Sequence, residues 1–194
     1  MIPIRLAILA SGSGSNAENI IQFFASENRV EVGIIISNKA EAQVHQRATR
    51  LGVPSVTFSR EALSDGSALV QMLKKEQIDF IILAGYLMKI PVELIDAFPN
   101  RIVNIHPALL PQFGGKGMYG NRVHQAVVDA KVQESGITIH LVNENYDEGS
   151  IVFQAKCTVR PDDSADDVAA KVHDLEYRYY PQIIGQLLQK EFNW

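Results

Sequence analysis

Up to Ile105 the chain alternates short, almost wholly apolar runs with longer segments of helical periodicity, and this rhythm limits the fold more than any other feature of the chain. The apolar runs are Arg5 to Ala10, Val32 to Ile36, Val56 to Phe58, Phe80 to Ala84 and Ile102 to Ile105. Runs of this length without polar alternation read as strands buried on both faces, and such strands belong to parallel sheets covered by helices. Helices are expected over Asn16 to Ala25, with Asn16 as N-cap, and over Ala42 to Leu51, closed by Gly52 and Pro54. Leu63 to Gln77 should form a third, with Leu69, Met72 and Leu73 inward, and Pro91 should start a fourth.

After Pro107 the rhythm changes. A Gly- and Pro-rich loop runs to Gly120, and a helix is expected from Asn121 to Ala130. Ile137, Ile139 and Leu141 alternate with Thr138 and His140, and Ile151 and Phe153 with Val152 and Gln154, which reads as antiparallel strands. Ser164 should cap a last long helix with Asp166 and Asp167 in its first turn, and Pro181 should kink or restart that helix. The fold class is therefore α/β: a Rossmann-like, mostly parallel sheet with helices on both faces, extended by antiparallel strands and a C-terminal helix. One domain over 1–194 is expected, with a nucleotide-binding half over about 1–106 and a tail over 107–194.

Composition removes several function classes. Hydrophobic residues at 46% and charged residues at 21% suit a globular core, and the formal net charge of -4 disfavours a partner gripped through nucleic-acid phosphates. The single cysteine, Cys157, allows no internal disulfide or thiolate cluster and is expected to pack as a small core side chain. Five histidines without a His-Glu-x-x-His spacing propose no metal site. The N-terminal apolar run is broken by Ser11 and Gly12, and nothing approaches the roughly 20 apolar residues of a membrane span, so a cytoplasmic location is expected.

Two segments carry chemistry. Gly12-Ser13-Gly14-Ser15-Asn16 lies between a strand and a helix, where glycines admit a ligand to the backbone and the helix start offers N–H groups to an anion such as phosphate. Gly12-x-Gly14-x-x-Ala17 also meets the loose dinucleotide fingerprint, so an NAD(P)-dependent oxidoreductase is a rival. That rival needs an acidic residue after the second strand, where this chain has Ser37-Asn38-Lys39. In the fifth strand, Asn104 and His106 are two apart and share a face at the carboxyl end, where ligands of parallel sheets bind. The pair is either a buried hydrogen-bonded couple or an oxyanion-stabilising one; with no serine nucleophile motif, the latter suits direct attack by a substrate amine.

Asn104, His106-Pro107-x-Leu109-Leu110-Pro111 and Asp147-x-Gly149, in this order, resemble the phosphoribosylglycinamide formyltransferase family, the folate-dependent enzymes of purine synthesis. Ser11-Gly12-x-Gly14-Ser15-Asn16, Ser37-Asn38-Lys39-Ala40, Leu83-Ala84-Gly85-Tyr86 and Gly136-Ile137-Thr138-Ile139-His140 carry the same resemblance over nearly the whole chain. The resemblance implies formyl transfer from the co-substrate 10-formyltetrahydrofolate to the amine of glycinamide ribonucleotide, with residues 107–194 as the folate and catalytic tail. Catalysis would fall to Asn104, holding the formyl oxygen, His106, stabilising the oxyanion, and Asp147, whose charge would keep His106 protonated. Gly14, Ser15, Asn16, His173 and Glu176 would bind the ribonucleotide; on pattern alone the last two are a solvated helix face. Arg60, Leu87, Met88, Lys89, Ile90, Asn104, Glu144, Asn145, Tyr146 and Asp147 would contact the folate. A homodimer is left open, and neither metal, nucleic acid nor membrane is expected.

Two features depart from the family pattern. The run Tyr86-Leu87-Met88-Lys89-Ile90 places its basic residue one position along, and the loop Gly114 to Gly120 is longer and richer in glycine. That loop reads either as a lid without ligand contact or as one that brings Lys116 to the substrate phosphate. Methionyl-tRNA formyltransferase shares the Asn–His–Asp chemistry and formyltetrahydrofolate hydrolase resembles the same core; the first is expected to carry a further C-terminal domain and the second an N-terminal one, and this sequence suggests neither.

Overall fold

A computed structural model describes residues 2–59 and 66–193. The chain divides into two compact units, Met1–Val103 and Asn104–Trp194. In the first unit β1 (Ile4–Leu9), β2 (Val30–Ser37), β3 (Ser55–Thr57) and β4 (Phe80–Leu83) take the order β3-β2-β1-β4, and the opening residues of β5 (Ile102–His106) follow β4. β1 runs parallel to both β2 and β4, and β2 to β3, with Leu6 opposite Val32 and Phe80. Leu6 to Ala10 have no exposed surface, and β4 is buried at all four positions. Removing a leucine or isoleucine side chain from water contributes about 1.5–3 kcal/mol, so these short runs carry much of the unit's stability.

The helices follow from where apolar side chains fall. In α1 (Ser15–Phe24) Ala17, Ile20 and Phe24 are buried, and in α3 (Ser67–Lys75) Leu69 and Leu73 are, while Met72 is only half-buried. α1 packs on α2 (Val44–Leu51), which ends at Gly52 with φ 70, and α3 packs on α4 (Val92–Ala97), whose N-cap is Pro91. One cap differs from expectation: α1 begins after Gly14, at φ 76, and Asn16 lies inside the helix. An added Cβ at Gly14 would stand 2.9 Å from the Val44 backbone, so the sharp entry of the chain, not a polar cap, sets the start.

In the second unit the order runs from the closing residues of β5 through β6 (Glu134–Leu141) to β7 (Ile151–Thr158), and β6 and β7 are antiparallel. The alternation in β7 holds from Val152 onward, where every second residue is exposed; Ile151, expected on the same side as Phe153, is exposed as well, and Cys157 is half-buried instead of lying in the core. β6 is buried on both faces from Ser135 to His140. Thr138 survives burial by bonding, since its Oγ1 donates to the Ala108 carbonyl at 2.7 Å and accepts from Leu110 N–H at 2.9 Å, whereas the buried Ser135 hydroxyl makes no hydrogen bond among the described residues.

Helix α5 (Asn121–Asp129) packs on α6 (Ala165–Phe192), which also covers β6. Ser164 caps α6 as expected, and the reciprocal bonds with Asp167 complete a capping box. Pro181 does not restart the helix, which runs on for 28 residues. Proline has no N–H to donate to the carbonyl four residues back, so the helix passes Pro181 without that one bond. No helix among the described residues is long and apolar enough to cross a membrane.

Replacing Ser164 with alanine is expected to lower unfolding free energy by about 1 kcal/mol, read from the urea midpoint at unchanged slope. An unchanged midpoint would show that the capping box contributes nothing to α6.

Candidate active site

The second unit gathers four polar side chains that local sequence alone would scatter. β5 supplies Asn104 and His106, β6 supplies His140, and the turn between β6 and β7 supplies Asp147. His106 and His140 are buried at 3% and 2% exposure, and Asp147 is half-buried. Asp147 sits at φ 56, a left-handed conformation that costs an ordinary residue of order 1 kcal/mol. Two residues on, a Cβ at Gly149 would overlap the Leu141 carbonyl oxygen. The Asp147-x-Gly149 motif thus has a steric reason: the chain must press against the end of β6 for the carboxylate to turn inward.

Three groups face that carboxylate. Gly115 N–H donates to Oδ2 at 2.9 Å, His106 Nδ1 lies 3.5 Å from Oδ2, and His140 Nε2 lies 3.6 Å from Oδ1. Burial pushes the Asp147 carboxyl up, but His140, His106 and the Gly115 N–H outweigh it and hold the group below its ordinary 3.8.

The hydrogen-bond partners fix the tautomers. His106 Nε2 is 2.8 Å from the Phe113 carbonyl oxygen, which can only accept, so this nitrogen carries a hydrogen. Nδ1 then faces the Asp147 carboxylate, positioned to become a donor when the ring takes a second proton. His140 Nδ1 donates to the Leu141 carbonyl at 3.0 Å; in the neutral ring Nε2 then accepts the Asn104 amide N–H at 3.1 Å, and in the charged ring it is a donor facing Asp147 Oδ1. Asn104 and His106 therefore share one cluster, as their strand spacing predicts.

The charge state of His106 differs from the sequence reading. Burial, the largest influence, lowers its pKa from 6.5, and Asp147 only partly restores it. The ring is neutral near pH 7, with its counter-charge already in place. Phe113 itself is at φ 55, so its carbonyl reaches His106 from a backbone conformation that bulky residues rarely adopt.

The other expected residues fall as follows. Gly14, Ser15 and Asn16 form the entry to α1, and Ser11, just before them, accepts Leu87 N–H on its hydroxyl at 2.9 Å. Leu87 and Lys89 are exposed, Met88 is half-buried and Ile90 is buried. Glu144, Asn145 and Tyr146 are exposed before Asp147, Lys116 is exposed, and Arg60 lies outside the described residues. His173 Nδ1 donates to Glu176 at 2.9 Å, which raises the His173 pKa. Glu176 is buried at 5% exposure, contrary to the solvated face that its spacing suggested, because α6 turns it toward the interior of its unit. Sequence reasoning could not find the Phe113 carbonyl or the Gly115 N–H: both are backbone groups, and residue type does not announce them. Among the described residues no three His, Cys, Asp or Glu side chains cluster as a metal site requires.

A family model described as "Formyl transferase" matches residues 4–184. The chain is 42% identical to the chloroplastic phosphoribosylglycinamide formyltransferase of Arabidopsis thaliana over 98% of its own length and 67% of that protein. It is 33% identical to the phosphoribosylglycinamide formyltransferase of Bacillus subtilis, covering 95% of this chain and 94% of the relative. It spans 62% of the length of the similar protein from Vigna unguiculata. Among solved structures, glycinamide ribonucleotide transformylase 1 from Geobacillus kaustophilus aligns with TM-score 0.87 at 34% identity over 97% of this chain and all of that one.

Titration of the histidine ring signals by NMR is expected to place His106 below 6.5. Because Asp147 raises that value, Asp147→Asn should lower it further. A His106 value above 6.5, or an upward move in the variant, would contradict this balance of burial and charge.

Proposed function

The chain belongs to the phosphoribosylglycinamide formyltransferase family, and on that premise we propose that it moves the formyl group of 10-formyltetrahydrofolate onto the amine of N1-(5-phospho-D-ribosyl)glycinamide, a step of de novo purine synthesis. The amine nitrogen attacks the formyl carbon, a tetrahedral oxyanion forms, the attacking nitrogen gives up a proton, and as the oxyanion collapses the bond from carbon to the folate nitrogen breaks with a proton returned to that nitrogen.

The observation that carries this reading is the convergence of an amide, a donor imidazole and a carboxylate within one buried cluster. A developing oxyanion is stabilised by donors fixed in place beforehand. The Asn104 amide and His106 Nε2–H are such donors, and a substrate oxygen competes with the Phe113 carbonyl for the second. As charge builds on that oxygen, protonation of His106 becomes favourable, and Asp147 offsets the resulting imidazolium. The neutral resting state of His106 fits this role, since a charge that appears only with the oxyanion stabilises the transition state more than the ground state.

The remaining assignments follow the family. Gly14, Ser15 and Asn16 take the phosphate, where glycine-rich backbone and a helix start suit an anion. His173 and Glu176 hold the rest of the ribonucleotide. Arg60, Leu87, Met88, Lys89, Ile90, Glu144, Asn145 and Tyr146 contact the folate, with Asn104 and Asp147 at its reactive end.

Purified protein given both substrates is expected to lose formyl-folate only when the amine is present. Loss at the same rate without amine identifies a formyltetrahydrofolate hydrolase instead, and no loss in either case removes the formyl-folate reading altogether.

A further inference from the structure

The loop before α1 is held from behind by α2. Val44 N–H donates to the Gly12 carbonyl at 3.2 Å, and Arg47 Nε donates to the Ser13 carbonyl at 2.7 Å. The Val44 side chain closes the space beside Gly14. Gly12 and Ser13 are exposed, and a Cβ at Gly12 would meet nothing within 4 Å. In a planar trans peptide the carbonyl and the following N–H point in opposite directions. Pinning the carbonyls of Gly12 and Ser13 to α2 therefore turns the N–H groups of Ser13 and Gly14 away from α2, toward the open side.

Arg47 has a second contact. Its guanidinium pairs with Glu18, in the first turn of α1, and Arg50 pairs with the same carboxylate. A lone carboxylate one turn from a phosphate cradle would repel a dianion, and two guanidiniums neutralise it. We infer that Arg47 is a positioning residue for phosphate recognition: it presets the orientation of the loop amides and cancels the charge of Glu18. The inference rests on the assignment of this loop to the substrate phosphate, and it adds α2 to the recognition machinery.

The test is steady-state kinetics of Arg47→Met with glycinamide ribonucleotide and with its phosphate-free riboside. A hydrogen bond to a charged donor is worth about 1.5–3 kcal/mol, so KM for the ribonucleotide should rise about tenfold or more. The KM for formyl-folate should not follow, and the riboside should react with variant and wild type at equal kcat/KM. An unchanged ribonucleotide KM, or an equal loss with the riboside, overturns the inference while leaving the formyltransferase reading standing. If Arg47→Met does not fold, Arg47→Lys serves, since it keeps a cation near Glu18 but loses the fixed guanidinium fork; a ribonucleotide KM equal to wild type would then overturn the inference. If the wild type shows no turnover, calorimetric binding of ribose 5-phosphate decides: weaker binding by Arg47→Met supports the inference, and equal binding or none by the wild type overturns it.

Discussion

The carboxylate of Asp147 is the fixed point of the second unit. It accepts a backbone N–H from Gly115, faces two imidazoles, and stands on a residue forced into the left-handed region. A partly buried charge without partners costs several kcal/mol, so these contacts must be kept together or lost together. Through them the carboxylate ties the loop after β5 to β5 itself, to β6 and to the turn that follows β6. Its lowered pKa means that the stability it contributes is complete above pH 3.8 and is lost only as pH falls through the still lower folded value. His106 works in the other pH range: as a buried ring with a depressed pKa, it favours the folded state above 6.5 and loses that contribution as pH falls.

Around this point, both donors suited to an oxyanion are engaged by acceptors of the protein: Asn104 by His140, and His106 by the Phe113 carbonyl. Such bonds keep the donors oriented and satisfied inside an apolar surround, where an unpaired N–H is costly. They also set a condition on catalysis. A substrate oxygen must do better than a neutral carbonyl at the same N–H, and an oxygen gaining negative charge does so, because charge-assisted hydrogen bonds are about twice as strong. Selection for the charged state over the neutral one follows from this competition.

Much of the frame was legible in the sequence for identifiable reasons. Leu6 to Ala10 and Phe80 to Leu83 could only be buried strands, because they lack any polar face. Asn104 and His106 had to share a side, because strand geometry has a period of two, and Ser164 with Asp166 and Asp167 announced the start of α6. What was hidden depends on groups that have no letter. The start of α1 is set by a close approach of Gly14 to Val44, not by a polar cap. Glu176 looks exposed in a helical pattern of mixed charge until α6 is placed against its neighbours. The sign of the His106 shift could not be read from the presence of Asp147, because it is decided by burial. Arg47, among the polar residues of α2, looks like an ordinary surface residue until the Ser13 carbonyl is found beneath it.

The proposed chemistry depends on Asp147 supporting His106 as charge develops on the formyl oxygen. The most direct measurement is kcat for Asp147→Asn, a change that keeps size and hydrogen bonding and removes the charge. A fall of more than about 10²-fold, in the range of general acid–base groups, is expected with the ribonucleotide KM little changed and the fold intact. Turnover close to wild type in a folded variant would mean that this carboxylate holds the loop in place and takes no part in the chemistry.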